Sequence, residues 1–143
     1  MHTKNITIDG VELCIRGKVD AVVQEGIKKG QVVEVKNRRS RFLTPRGGMP
    51  PVYERVQAEV YQWFTGTQEL GVTFAEAYNG RTRITEYKHS PELWEQIVEG
   101  LGTFVAAYKK LDSERISKQG LSEIDAKLEA AKALVGLQAL KVA

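Results

Sequence analysis

The chain has 143 residues, a length that suits one compact domain and leaves little room for two. Hydrophobic residues make up 42% and charged residues 27%, an ordinary globular balance, and no run approaches the roughly 18 apolar residues that span a membrane. A single cysteine, Cys14, excludes an internal disulfide framework and any four-cysteine zinc or iron–sulfur site within one chain, while the net charge of +3 excludes little by itself.

Ile6 and Ile8 alternate with polar residues, and Asp9-Gly10 supplies a hairpin turn. Val11, Leu13 and Ile15 carry the alternation into a second strand that continues through Lys18-Val19-Asp20 to Val23, with Gly17 marking a bend. This segment has no signal-peptide core, and with the lone cysteine it sets the expectation of a reducing, intracellular location and a protein that is not secreted. Gln31 to Lys36 reads as a strand rich in valine. Asn37 to Pro51 reads as a loop, because Pro45, Gly47-Gly48 and Pro50-Pro51 break any periodicity.

A helix follows Pro51, with Val52, Val56, Val60 and Phe64 as its core stripe and Tyr53, Gln57 and Tyr61 beside it. Gly66 is its natural terminator. Val72, Phe74 and Ala77-Tyr78 predict a strand, Asn79-Gly80 a tight hairpin turn, and Arg81 to Tyr87 the returning strand. Ser90-Pro91 opens a helix whose buried face is Leu93, Ile97, Leu101, Phe104 and Tyr108. Ser122 opens a last helix, with Ile124, Leu128, Ala131, Val135 and Val142 near heptad spacing. Cys14 reads as a small core residue, His89 as a solvated turn residue, and Trp63 and Trp94 as core or interface.

Charge is unevenly placed. Lys28, Lys29, Lys36, Arg38, Arg39, Arg41 and Arg46 face a single acid, Glu34, across nineteen residues. Such a field attracts polyanions, nucleic acid first, although a solvated basic loop has the same composition.

Asp20 is followed fourteen residues later by Glu34-Val35-Lys36. Two strands joined by a short turn carry them, and Glu34 and Lys36, two apart, point to one sheet face. Two carboxylates and an ammonium at one spot suit phosphodiester hydrolysis. Asp20 and Glu34, with the Val35 carbonyl, can hold Mg²⁺ or Mn²⁺, and Lys36 can orient the attacking water and stabilise charge on the phosphate. The plain alternative is a surface ion pair between Glu34 and Lys36. Gln57 and Tyr61, four apart on the next helix, share a face that can grip a phosphate; an amphipathic helix with a solvated shoulder has the same pattern.

Gly17-x-x-Asp20, Glu34-x-Lys36 and Gln57-x-x-x-Tyr61, in this order and on these elements, resemble the PD-(D/E)XK nuclease superfamily. The run Val33 to Arg39 and then Tyr53-Glu54-x-x-Gln57-x-x-x-Tyr61 is most similar to its RecB-type, λ-exonuclease and YqaJ-like viral recombinase branch. The resemblance covers about residues 11 to 88. It implies an α/β fold of the restriction-endonuclease-like kind, a mixed sheet flanked by helices, with a Mg²⁺ or Mn²⁺ centre that cleaves DNA. By matching positions it implies Asp20 and Glu34 as metal ligands, Lys36 as the catalytic lysine, and Gln57 and Tyr61 as accessory substrate residues. Arg38, Arg39 and Arg41 are the phosphate-binding cations expected of the basic loop.

Two departures stand out. Val19 occupies the position of the signature proline, and no helical pattern precedes the first strand, where the family usually donates a Glu or His to the metal. The chain is therefore a fragment, or a partner supplies that helix, or the site works with fewer ligands. The expected organisation is a nuclease core over residues 1–90 and a helical extension over 91–143 packed on it. The C-terminal stripes point to a homo-oligomer, a dimer first. The expected function is a metal-dependent DNA nuclease of viral or mobile-element recombination or repair; the alternatives are a non-catalytic nucleic-acid-binding module and a subunit that completes a partner nuclease.

Overall fold

Positive backbone angles at Asp9 and Gly10, and again at Asn79 and Gly80, close two tight hairpins where the sequence places them. In the computed structural model, which describes residues 1–39, 43–116, 127, 128 and 130–132, the strands are β1 (His2–Ile8), β2 (Val11–Gly17), β3 (Ala21–Val22), β4 (Val32–Asn37), β5 (Val72–Tyr78) and β6 (Arg81–Tyr87). Two helices, α1 (Val52–Thr65) and α2 (Pro91–Ile116), and a 3-10 turn at Gln68–Leu70 complete the described elements. The architecture is mixed α/β. β1 and β2 form a two-stranded sheet, and the other strands form a four-stranded sheet in the order β3-β4-β5-β6.

The chain divides into two units, one of residues 1–4 and 14–91, the other of residues 5–13 and 92–143. The hairpin tip thus groups with the residues after Pro91 and not with the four-stranded sheet.

In the first unit β4 and β5 run parallel, joined through α1, and β3 and β6 flank them antiparallel. Register then decides which residues share a face. Val32, Val72 and Tyr87 align across the sheet, as do Glu34, Phe74 and Thr85, and as do Lys36, Glu76 and Arg83. One face therefore runs from apolar at its Val32 end to charged at its Lys36 end. Ala58 and Tyr61 of α1 close over the apolar part with Val32, Val72, Phe74 and Tyr87. Burying each large apolar side chain there contributes about 1.5–3 kcal/mol. On the opposite face Val35 and Ile84 are exposed.

Three local expectations need correction. The second strand does not run through to Val23: β2 ends at Gly17 and β3 begins at Ala21 in the other sheet. Gly17 lies against Phe64, whose Cε2 would sit 2.5 Å from an added Cβ, so a side chain there would displace the ring. Along α1 the buried residues are Glu54, Ala58, Glu59, Tyr61 and Gln62, while Val52, Val56, Val60 and Phe64 are half-buried. Cys14 is exposed, because strand alternation puts it on the same side as Glu12 and Arg16.

α1 begins after Pro51, whose carbonyl accepts from the Glu54 and Arg55 N–H groups, and Glu54 adds an acid to the first turn, where the helix dipole favours it. It ends at Gly66 in the left-handed conformation expected of its terminator.

α2 starts at Pro91, as its sequence predicts, and in the second unit it buries Leu93, Ile97, Val105 and Leu111. Tyr108 is exposed instead of buried. Val105 and Leu111 take the inward positions in that part of the helix instead. Residues 127, 128 and 130–132 are helical; Ser122, Ile124, Val135 and Val142 lie outside the described residues. No helix among the described residues is long and apolar enough to cross a membrane.

Candidate active site

Antiparallel pairing of β3 with β4 sets Ala21 opposite Val33 and Val22 opposite Val32. Continued one step, this register brings Asp20 opposite Glu34. The Asp20 Oδ2 accepts the Val35 N–H at 2.9 Å, which fixes the exposed carboxylate at the end of the short strand. Glu34 points into the α1-covered face and is only 6% exposed. Its Oε1 accepts from Lys36 Nζ at 2.6 Å. Lys36 Nζ also donates to Gln57 Oε1 at 3.0 Å, and Gln57 Nε2 donates to the Tyr61 hydroxyl at 2.7 Å. Asp20, Glu34, Lys36, Gln57 and Tyr61 thus meet on one side of the sheet, the last four in one hydrogen-bonded chain.

The Glu34 Oε2 is buried and has no hydrogen-bond partner. Burial pushes the Glu34 carboxyl above the usual carboxylate range; the Lys36 hydrogen bond and charge pull it back, and the Asp20 carboxylate adds to the rise. A buried acceptor left unsatisfied beside a second carboxylate costs free energy, and a cation offsets that cost. Among the described residues no group of three or more His, Cys, Asp or Glu side chains is set to hold a metal ion; the centre offers two carboxylates and neighbouring backbone. Val35 is 56% exposed with its side chain on the other face, so only its backbone belongs to the site.

Arg38 departs from its expected role. Its guanidinium is 12% exposed and bound on both sides, to Glu54 through both terminal nitrogens and to Glu76 through Nε and Nη2. Glu76 Oε1 further accepts from the Thr44 N–H and hydroxyl, and Oε2 from the Thr85 hydroxyl at 3.1 Å. This network holds the Glu76 carboxyl below the usual range against the opposing effect of burial and raises the Arg38 pKa further. Arg38 is a buried tie between β4, β5 and α1, its charge met by two carboxylates. Lys28 is likewise paired, with Glu86 at 2.8 Å. Arg39 is exposed just beyond β4, and Arg41 lies outside the described residues.

A third polar cluster surrounds Glu59 of α1, whose side chain is fully buried. It accepts from the Tyr87 hydroxyl at 2.5 Å and the Ser90 N–H at 2.7 Å, and its Oε2 lies 2.5 Å from His89 Nδ1. His89 is therefore a partner of a buried acid and not a solvated turn residue. Sequence patterning does not single out Glu59 or Glu76, and it gives Glu54 only as part of the run from Tyr53 to Tyr61. The available signal was the acid content of α1 on the face that carries Ala58 and Tyr61.

No family model matches the sequence, and no curated protein matches it either. A solved structure titled "Crystal structure of SSO0001" is similar, with a TM-score of 0.50 and 22% identity over 62% of this chain and 39% of that one. The chain spans well under half the length of that protein, and the likeness is one of fold.

Proposed function

We propose that the chain is a divalent-metal-dependent deoxyribonuclease of the PD-(D/E)XK type, with Asp20 and Glu34 as metal ligands and Lys36 at the scissile phosphate. One observation carries the reading: Glu34 has a buried, unpartnered Oε2 beside Asp20 while its other oxygen holds the Lys36 ammonium. Two carboxylates fit Mg²⁺ or Mn²⁺, since Mg²⁺ commonly binds through one or two carboxylates and completes its shell with water and phosphate oxygens. When bound, the metal polarises the phosphate and acidifies a water.

The remaining work falls to the chain. Asp20, exposed and fixed by the Val35 N–H, forms the solvent side of the centre. Lys36 keeps a positive charge where the phosphate gains negative charge. Gln57 and Tyr61 are positioning residues that hold the Lys36 ammonium in place through Gln57 Oε1. The mixed sheet, with α1 joining its parallel strands, supports the restriction-endonuclease-like expectation.

The test is incubation with linear, circular and single-stranded DNA in Mg²⁺, Mn²⁺ or EDTA. Cleavage should need metal, and Lys36→Ala should slow it about a hundredfold or more while DNA binding persists. Wild-type rates in that variant remove Lys36 from the mechanism, and DNA binding without cleavage in either metal favours the non-catalytic alternative.

A further inference from the structure

β6 is the outer strand of its sheet, and its far edge has no strand partner among the described residues. Beside it runs a groove of about 460 Å³, lined by residues 83–88 and by the loop from Pro45 to Pro50. Successive strand residues point to opposite faces, so a groove touching this whole run follows the strand's edge and its backbone N–H and C=O groups. Its charged residues are Arg46, Arg83, Glu86 and Lys88. The acid is already neutralised by Lys28 at 2.8 Å. Arg83 donates to the Thr44 carbonyl at 2.8 Å, which ties the loop to the strand, while Arg46 and Lys88 are exposed. Arg83 is also in register with Lys36 through Glu76. Two strand spacings, roughly 10 Å, separate those backbones.

We infer that this groove binds a single DNA strand leaving the active centre, with Arg46 and Lys88 on its phosphates and the open edge of β6 as a source of further N–H donors. Charge selects this occupant. An extended peptide also fits a strand edge, but only an acidic one gains from a net cationic rim, whereas every DNA strand brings phosphates to a cation on the strand side at Lys88 and another on the loop side at Arg46. The direction toward Lys36 rests on the proposed nuclease reading; strand binding does not.

The experiment is fluorescence anisotropy of a labelled oligothymidylate in EDTA, titrated with salt, beside the same measurement on a blunt duplex. The variant is R46A/K88A. R16A/K110A, which removes two exposed cations elsewhere, is the charge-matched control. R46A/K88A should weaken oligothymidylate binding about tenfold and lower the salt slope by about 1.4, since each lost single-strand phosphate contact removes about 0.7. R16A/K110A should lose much less. If R46A/K88A binds like the control, the groove inference falls even where the wild type cleaves DNA. An equal loss on the duplex removes the single-strand assignment. The predicted pattern in a chain that cleaves nothing leaves the groove standing and removes the nuclease.

Discussion

Glu34 offers one carboxylate oxygen to the Lys36 ammonium at 2.6 Å and keeps the other buried with no hydrogen bond. Strand periodicity forces the pair together, since residues two apart share a face. The unmatched oxygen has no such local cause: it follows from the closure of α1 over that face. The result is a carboxylate whose ionised form is disfavoured by the fold and rescued by cations.

The first prediction follows from that imbalance. Burial raises the folded-state pKa of Glu34 above its ordinary value of 4.5. Below 4.5 folded and unfolded chains both carry the proton; above it the unfolded chain loses the proton first. Glu34 therefore contributes stability that is present at low pH and lost as pH rises through its folded pKa. Urea melts of wild type and Glu34→Gln should show a stability difference that moves against the wild type as pH rises from about 4.5. Mn²⁺ affinity should change in the opposite sense, falling as pH drops and the proton competes for Glu34. A stability difference that stays flat, with pH-independent Mn²⁺ binding, contradicts the assigned environment.

Arg38 supports a second prediction. Replacing it by Ala strands Glu54 and Glu76, both buried, without their cation, and breaking a buried pair in this way costs about 3–5 kcal/mol. Arg39→Ala, at an exposed neighbour, should stay within about 0.5 kcal/mol of wild type. Denaturant midpoints decide it. Equal midpoints for the two variants would return Arg38 to the role of a surface cation.

The sequence made some of this legible and not the rest, for physical reasons. Asn79-Gly80 is readable because tight hairpins demand positive φ, and both residues adopt it. Glu34, Lys36, Gln57 and Tyr61 are readable because spacings of two and four fix shared faces before any tertiary contact forms. The buried face of α1 is not readable in the same way. Apolar spacing picks Val52, Val56 and Val60, yet α1 turns Glu54 and Glu59 inward because Arg38, Tyr87 and Ser90 wait there as donors, with His89 at hydrogen-bond distance beside Glu59. Those partners come from 16 residues before Glu54 and from 28 to 31 residues after Glu59, and no local pattern encodes pairing at that range.

A third prediction concerns Gly71, which precedes β5 at φ 67 and ψ −162, a conformation open almost only to glycine. An added Cβ would also collide with the Tyr87 carbonyl oxygen, which the sheet holds in place. Gly66 has nearly the same φ but open space around it. Gly71→Ala should therefore destabilise by more than about 2 kcal/mol, and Gly66→Ala by about 1–2 kcal/mol. Thermal unfolding of both variants tests the ranking, and the reverse order is incompatible with the Tyr87 contact.

The last prediction uses Glu59 as an anchor between α1 and the chain after β6. Tyr87 and Ser90 donate to its buried carboxylate and His89 lies at hydrogen-bond distance, so Glu59→Ala leaves a buried hydroxyl, an imidazole and a backbone N–H without their acceptor. Tyr87→Phe removes only one donor and leaves Glu59 the Ser90 N–H and the His89 contact. Hydrogen bonds to charged groups are each worth about 1.5–3 kcal/mol, so Tyr87→Phe should cost about that much and Glu59→Ala clearly more. An independent readout exists in the phenol itself. Burial first, then the Glu59 hydrogen bond and charge, push the Tyr87 hydroxyl well above its ordinary value of 10.0. The raised pKa adds stability that is present below 10.0 and lost as pH rises through the folded value. In an ultraviolet titration of the folded chain, read as the difference between wild type and Tyr87→Phe, the Tyr87 phenol should resist ionisation until the protein unfolds. Glu59→Gln should lower that threshold part of the way, because the neighbouring charge is gone while the burial remains. A Tyr87 phenol that ionises near 10.0 in the folded chain, or a Glu59→Gln variant with an unchanged threshold, would mean that Glu59 does not face Tyr87 in solution.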